Sequence, residues 1–179
     1  MILLKLKDII VNKIRQILLG GANISKLTKK GLKVGENLWI GYGVSIDTTF
    51  CELISIGNNC TITSKVHILA HDASTKKHLG YTKIGKINIG NNVFIGVGTI
   101  ILPNVKIGDN SIIAAGSVVT RSIPQNEVWG GNPATKMYSL EKYLNKHKGK
   151  QIISQEEWKN QNERREILNS LENEIGYIE

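Results

Sequence analysis

The sequence is poor in the residues that staple small or secreted proteins together. Among 179 positions it has two cysteines, three prolines and 6% aromatic residues. Cys51 and Cys60 are too few for a disulfide framework and lack the paired spacing of a zinc site, so a reducing, cytoplasmic setting is expected. Long apolar runs are also missing. Ile2, Leu3, Leu6, Ile10, Ile14, Ile17 and Leu18 follow helical spacing, but Lys5, Lys7, Asp8, Asn12, Lys13 and Arg15 interrupt them. That interleaving argues against a membrane span and against a signal peptide. It predicts a helix over the first twenty residues, stopped at Gly20-Gly21. Packing on the main body is the plain reading, and contact with the anionic inner face of a membrane is the alternative.

Acidic residues are scarce where basic ones gather. Residues 1–33 carry eight Lys or Arg against Asp8 alone, within a net charge of +8. Such a segment attracts anions, yet no zinc finger, RNA-binding aromatic motif or helix-turn-helix follows it, so no nucleic-acid partner is expected. The 41% apolar content excludes a disordered chain, and the 18 glycines have no three-residue period, which excludes collagen.

What is present is a six-residue repeat. Val34, Ile40 and Ile46 are in phase, as are Ile56, Ile62 and Ile68, and then Ile89, Ile95, Ile101, Ile107, Ile113 and Val119. Six is incommensurate with a 3.6-residue helix and too long for simple strand alternation. A short strand plus a tight turn, repeated three times per coil, stacks each aliphatic side chain on the one a coil later. Asn58-Asn59, Asn91-Asn92 and Asp109-Asn110 fall at the corners, where positive φ is needed. Cys60 occupies a small inner position; Cys51 falls in a break. The ends of such a prism need caps.

Two breaks interrupt the phase. Four residues are inserted around Phe50 to Leu53, and about 70–86 has no clear period. Insertions in solenoids gather on a functional face, so Ala70-His71-Asp72-Ala73-Ser74-Thr75-Lys76-Lys77-His78 is where chemistry is expected. Lys76 and Lys77 read either as a solvated pair or as contacts to a phosphorylated or acidic sugar. The reading divides the chain into an N-terminal segment (1–33), a coil (34–137) and a C-terminal helical extension (138–179). Ser139–His147 and Ser154–Leu171 look helical, the latter opening with a Ser154–Glu157 capping box.

The stretches Ile89-Gly90-Asn91-Asn92-Val93-Phe94-Ile95-Gly96, Ile101-Leu102-Pro103-Asn104-Val105, Ala114-Ala115-Gly116-Ser117-Val118-Val119-Thr120 and Gly131-Asn132-Pro133-Ala134, together with His71, resemble the hexapeptide-repeat acyltransferases. Within that family the chain looks most like bacterial capsule and lipopolysaccharide sugar O-acetyltransferases, and it is similar to galactoside, maltose and serine acetyltransferases. The resemblance implies an all-β core, a left-handed parallel β-helix with helices at both termini. It also implies a homotrimer, acetyl-CoA as acyl donor between neighbouring prisms, a glycan or small-molecule acceptor, and no metal.

On this resemblance His71 is the general base that takes the acceptor proton and returns it to the CoA thiolate, the range in which an imidazole works. Asp47 is the leading partner to orient it, with Glu52 in the same insertion as the alternative. Asp72, Glu52 and His78 are candidate acceptor contacts. The resemblance assigns Phe94, Gly96, Val97, Ala114, Ala115, Thr120, Arg121 and Lys136 to acetyl-CoA, with Arg121 and Lys136 meeting phosphate and the small residues allowing close approach of the pantetheine arm. Phe94 stands where a Trp is common in the family. Alternatives are an N-acetyltransferase of an amino-sugar nucleotide, a serine O-acetyltransferase, a γ-class carbonic-anhydrase-like metalloenzyme using His67, His71 and His78, and a non-catalytic trimeric scaffold.

Overall fold

The in-phase aliphatic side chains turn inward. Ile62, Ile68, Ile95, Ile101, Ile107 and Ile113 have no measurable exposure, and Ile46, Ile56, Ile89 and Val119 are also buried. The computed structural model describes residues 21–150, 152–171, 175, 177 and 178. The helix expected over the first twenty residues lies outside them.

The first coil consists of β1 (Lys33–Val34), β2 (Trp39–Ile40) and β3 (Ser45–Ile46); the second of β4 (Ile54–Ile56), β5 (Thr61–Ile62) and β6 (His67–Ile68). The chain then leaves the coil through β7 (His71–Asp72), α2 (Lys76–Leu79) and β8 (Lys83–Ile84). It returns for a third coil, β9 (Ile87–Ile89), β10 (Phe94–Ile95) and β11 (Ile100–Ile101), and a fourth, β12 (Lys106–Ile107), β13 (Ile112–Ile113) and β14 (Val118–Val119). A hairpin of β15 (Glu127–Gly131) and β16 (Ala134–Ser139) ends it.

Three sheets result: β1-β4-β9-β12 (sheet 1), β16-β15-β13-β10-β5-β2 (sheet 2) and β14-β11-β6-β3 (sheet 3). All their neighbours pair in parallel except the closing hairpin. The registers superpose the repeat, with Ile40, Ile62, Ile95, Ile113 and Trp129 in one inward column. Each buried isoleucine contributes roughly 1.5–3 kcal/mol.

The three edges of the prism differ in character. Between sheets 1 and 2 an asparagine ladder runs the length of the coil. Each Nδ2 donates to the next Oδ1, from Asn37 to Asn59, Asn92, Asn110 and Asn126, at 2.9–3.2 Å. All five have φ between 54° and 60°, which an Asn tolerates by virtue of its short polar side chain. Between sheets 2 and 3 the turns use Gly43, Lys65, Gly98 and Gly116 at positive φ. Between sheets 3 and 1 both insertions emerge.

One end is capped by α1 (Ile24–Lys29), whose N-cap Asn23 accepts a hydrogen bond from the Lys26 amide. Leu27, Leu32 and Cys51 are buried there, and the Cys51 thiol donates to the carbonyls of Leu27 and Lys30. At the other end Trp129 fills the last inward position. The stretch without periodicity is an ordered arm: β7 and β8 pair antiparallel, His71 opposite Ile84 and Asp72 opposite Lys83.

Within the stretch Ser139–His147, expected to be helical, α3 spans Leu140–Asn145. The chain forms two compact units, divided between Lys142 and Tyr143. In the second, the helix expected over Ser154–Leu171 is two helices, α4 (Gln155–Lys159) and α5 (Gln161–Ser170). Asn160 breaks it. Its extended backbone (ψ 116°) ends α4, and its side chain accepts from the Asn162 amide to start α5. The capping box at Ser154 and Glu157 forms as expected.

Candidate active site

Asp47 follows β3 directly, and the insertion behind it folds back as a 3-10 turn at Cys51–Leu53. Oδ1 of Asp47 accepts from the amides of Thr49 (3.0 Å) and Phe50 (3.1 Å); Oδ2 accepts from the Ala70 amide (3.0 Å). Oδ2 also meets His71 Nδ1 in a close hydrogen bond. Burial alone would raise the Asp47 carboxyl, but the hydrogen bonds with His71, Phe50 and Thr49 outweigh it and hold the group below the usual carboxylate range. The Asp47 side chain is 1% exposed and that of His71 36%. A charged acceptor at Nδ1 calls for the proton on that nitrogen, which leaves the lone pair on Nε2, away from the carboxylate. This is a base–orienter pair with one nitrogen available.

Nothing in the six-residue pattern marks Phe50 as part of the site. Its ring lies 5.3 Å from the His71 ring, tilted 56°, and its amide caps Asp47. The four-residue insertion was the available signal. It builds the cradle on which the imidazole rests.

Other expected site residues are distributed as follows. Glu52 is exposed on the 3-10 turn, its Cβ against Gly31, and takes no part in holding His71. Asp72, expected to contact the acceptor, braces the arm. Its carboxylate pairs with Lys83 at 2.6 Å and accepts from the Ser74 amide, and these bonds hold its carboxyl well below the usual range. His78 is exposed on α2. Thr120 and Arg121 follow β14 on the same edge as His71, two strands further on, or roughly 10 Å at ordinary strand spacing. Arg121 lies over the Trp129 ring at 5.4 Å.

Gly96, Val97, Ala114 and Ala115 follow β10 and β13 on the edge between sheets 2 and 3. Val97 and Ala115 are exposed; Ala114 is half-buried and Gly96 buried. The smallness of Gly96 has a structural cause of its own. A Cβ there would lie 2.4 Å from the Ala115 nitrogen, so coil stacking demands the glycine before any ligand is considered. Phe94 projects outward from sheet 2, 43% exposed. Lys136, expected to meet phosphate, is paired with Glu127 at 2.5 Å, and the other Glu127 oxygen accepts from Trp129 Nε1. Those two bonds lower the Glu127 carboxyl and occupy the lysine.

Neither cysteine is placed as a nucleophile. Burial pushes the Cys60 thiol up, and it donates to the Gly90 carbonyl. Among the described residues no group of three His, Cys, Asp or Glu side chains could hold a metal ion.

A three-sided coil of six-residue units, with a carboxylate-held imidazole at one edge, is the build of a hexapeptide-repeat transferase. Residues 86–121 match the family model described as bacterial transferase hexapeptide (six repeats). Protein CapG of Staphylococcus aureus is 45% identical over 129 residues, 68% of this chain and 73% of that one. The galactoside O-acetyltransferase of Lactococcus lactis is 44% identical over 108 residues, 58% of this chain and 51% of that one. The solved maltose O-acetyltransferase of Clostridium difficile 630 superposes with a TM-score of 0.53 at 26% identity, covering 72% of this chain and 83% of that one. The chain belongs to the hexapeptide-repeat acyltransferase family. The alignments span between half and three quarters of the length of these two curated relatives.

Proposed function

We propose that the protein transfers an acetyl group from acetyl-CoA to a sugar hydroxyl, with His71 as general base and Asp47 as its positioning residue. The observation that carries this reading is the His71–Asp47 pair: a buried, amide-held carboxylate on Nδ1 and a half-exposed ring whose Nε2 is available. A sugar hydroxyl is too weak an acid to attack a thioester unaided at neutral pH. His71 Nε2 accepts its proton as the oxygen attacks the carbonyl, and Asp47 stabilises the imidazolium that forms. As the tetrahedral intermediate collapses and its C–S bond breaks, the His71 imidazolium returns the proton to the departing CoA thiolate. No covalent acyl-enzyme is needed.

The donor site is proposed to span two copies. Val97 and Ala115 lie on the edge between sheets 2 and 3, and His71 lies on the edge between sheets 3 and 1. One chain does not bring these edges together. A homotrimer of left-handed coils, each offering one edge to its neighbour's other edge, does so in a closed ring. On this reading the flat edge at Val97 and Ala115 takes the thin pantetheine arm, Phe94 walls it, and Arg121 rather than the occupied Lys136 meets phosphate.

Thiol release from acetyl-CoA tests the proposal, with neutral sugars, charged sugars, amino sugars and serine as acceptors. Wild type should turn over hydroxyl acceptors, and His71→Ala should lower kcat by about 10²–10⁴ while acetyl-CoA still binds. Turnover with amino acceptors alone, or a His71→Ala variant within a few-fold of wild type, refutes it.

A further inference from the structure

The arm that begins at the candidate base is basic and unopposed. From Ala73 to Gly108 the sequence has no Asp or Glu, while Lys76, Lys77, Lys83 and Lys86 fall within the arm and its return. Lys83 is neutralised by Asp72. Lys76, Lys77 and Lys86 are exposed and have no carboxylate partner among the described residues. Arg121 adds a fourth cation on the same edge of the prism.

The arm is also rigidly based. The Gly85 amide donates to the Ala70 carbonyl at 2.9 Å, and a Cβ on Gly85 would lie 2.5 Å from the Asn104 nitrogen, so the return strand sits directly on the next turn. The Thr75 hydroxyl donates to the Tyr81 carbonyl at 2.7 Å and closes the tip. Beside the lysines, Leu79, Tyr81 and Ile84 are 57–59% exposed. Ile84 is paired directly with His71.

We propose that this arm is an anion-reading acceptor platform: the hydroxyl delivered to His71 belongs to a saccharide bearing carboxylate or phosphate groups, held by Lys76, Lys77 and Lys86, with a sugar face stacked on Tyr81. The inference deepens the reading of His71 as base and rests on it. Lys76 is five residues from His71, within roughly 17 Å along even a fully extended strand, so an acidic residue next to the reacting sugar reaches the lysines while its hydroxyl is at Nε2. The aromatic ring supplies apolar contact with a polar tip, which suits the C–H face of a sugar. The coil of a second copy is a poor occupant. Of the six acidic residues between 34 and 137, Asp47, Asp72 and Glu127 are already paired with His71, Lys83 and Lys136.

The experiment compares three acceptors with the full-length protein: an oligosaccharide of uronic or sialic acid residues, a sugar phosphate, and a neutral disaccharide. The expected result is a kcat/KM at least tenfold higher for one of the acidic acceptors, and which one is preferred separates carboxylate from phosphate. The KM for that acceptor should rise with added salt, since exposed charges are screened within about 10 Å at 0.1 M. In Lys76→Gln/Lys77→Gln the KM for it should rise about five- to tenfold with a shallower salt dependence, as expected for two exposed charges, and the KM for acetyl-CoA should not move. Tyr81→Ala should raise the acceptor KM without changing its salt dependence. Equal, salt-independent use of the neutral disaccharide overturns the inference and leaves His71 as base untouched. A change of oligomeric mass in Lys76→Gln/Lys77→Gln by light scattering assigns the arm to contacts between copies and also overturns it. Full turnover by His71→Ala instead overturns the underlying reading.

Discussion

Replacing Asp47 with Asn changes one atom and inverts the chemistry of His71. The carboxylate receives four hydrogen bonds, from the amides of Thr49, Phe50 and Ala70 and from His71 Nδ1. An amide has one oxygen to offer. If it faces Thr49 and Phe50, the NH2 group faces the Ala70 N–H and His71 Nδ1. The imidazole then accepts at Nδ1, carries its proton on Nε2, and presents a donor where the reaction needs a base. The expected loss in kcat is ~10²–10⁴, the range for removing general-base catalysis or imposing the wrong tautomer, with the KM for acetyl-CoA unchanged. Stability should fall by about 1–3 kcal/mol at pH 7 because the Ala70 amide loses its acceptor. The pH dependence has a definite sign. Asp47 titrates below its unfolded value of about 3.9, so wild type holds this contribution above that pH and loses it as the pH falls through the lower, folded value. Denaturant titrations at pH 7, 5 and 3 should therefore show the difference between wild type and Asp47→Asn shrinking towards pH 3. A variant that keeps kcat within threefold, or a stability gap that widens in acid, refutes the reasoning.

Two further predictions concern the coil and its edges. Gly96→Ala should cost about 1–3 kcal/mol in chemical denaturation by forcing the Ala115 backbone away. Gly98→Ala, with open space but φ +70°, should cost only about 1–2 kcal/mol, and a Gly96 variant as stable as wild type would contradict the close stacking of coils. His71→Ala and Ala115→Trp chains, each inactive alone, should recover activity at about a quarter of the sites when co-refolded in equal amounts, as random assembly of trimers gives. No recovery from a mixed oligomer would mean that the two edges do not share a site.

The repeat was legible because it is a statement about the core. A side chain every six residues must point inward if strands of two residues alternate with tight turns, and the column Ile40, Ile62, Ile95, Ile113 follows from counting. The positions of His71 and Asp47 were legible as well, since each stands at a break in that count, whereas the role of base for His71 rests on the family resemblance. The Phe50 cradle was not, because ring packing depends on how a four-residue insertion folds, and no period governs it. The engagement of Asp72 and Lys136 was hidden for a related reason. Lys83 is eleven positions from Asp72, and Glu127 is nine from Lys136 across a bulged hairpin; strand pairing alone brings them together. The break at Asn160 was hidden for a different reason. Helical spacing continues through it, while a side-chain cap on the next helix competes with it locally and wins.

The three edges explain why insertions appear where they do. The asparagine ladder closes the edge between sheets 1 and 2 along its whole length, each amide committed to the next. An insertion there would break the chain of hydrogen bonds and strand two amide groups. Glycine in three of the four turns keeps the edge between sheets 2 and 3 low, with small residues at Ala115 and Gly116 exposed. The third edge has neither device. Its turns can lengthen without loss to the core, because the inward isoleucines on either side keep their phase. Asp47, Phe50 and His71 all lie in such lengthened turns, and so does the basic arm. Packing thus leaves one edge free to carry long insertions, and it is this edge that, on the shared site proposed above, the flat edge of another copy would meet.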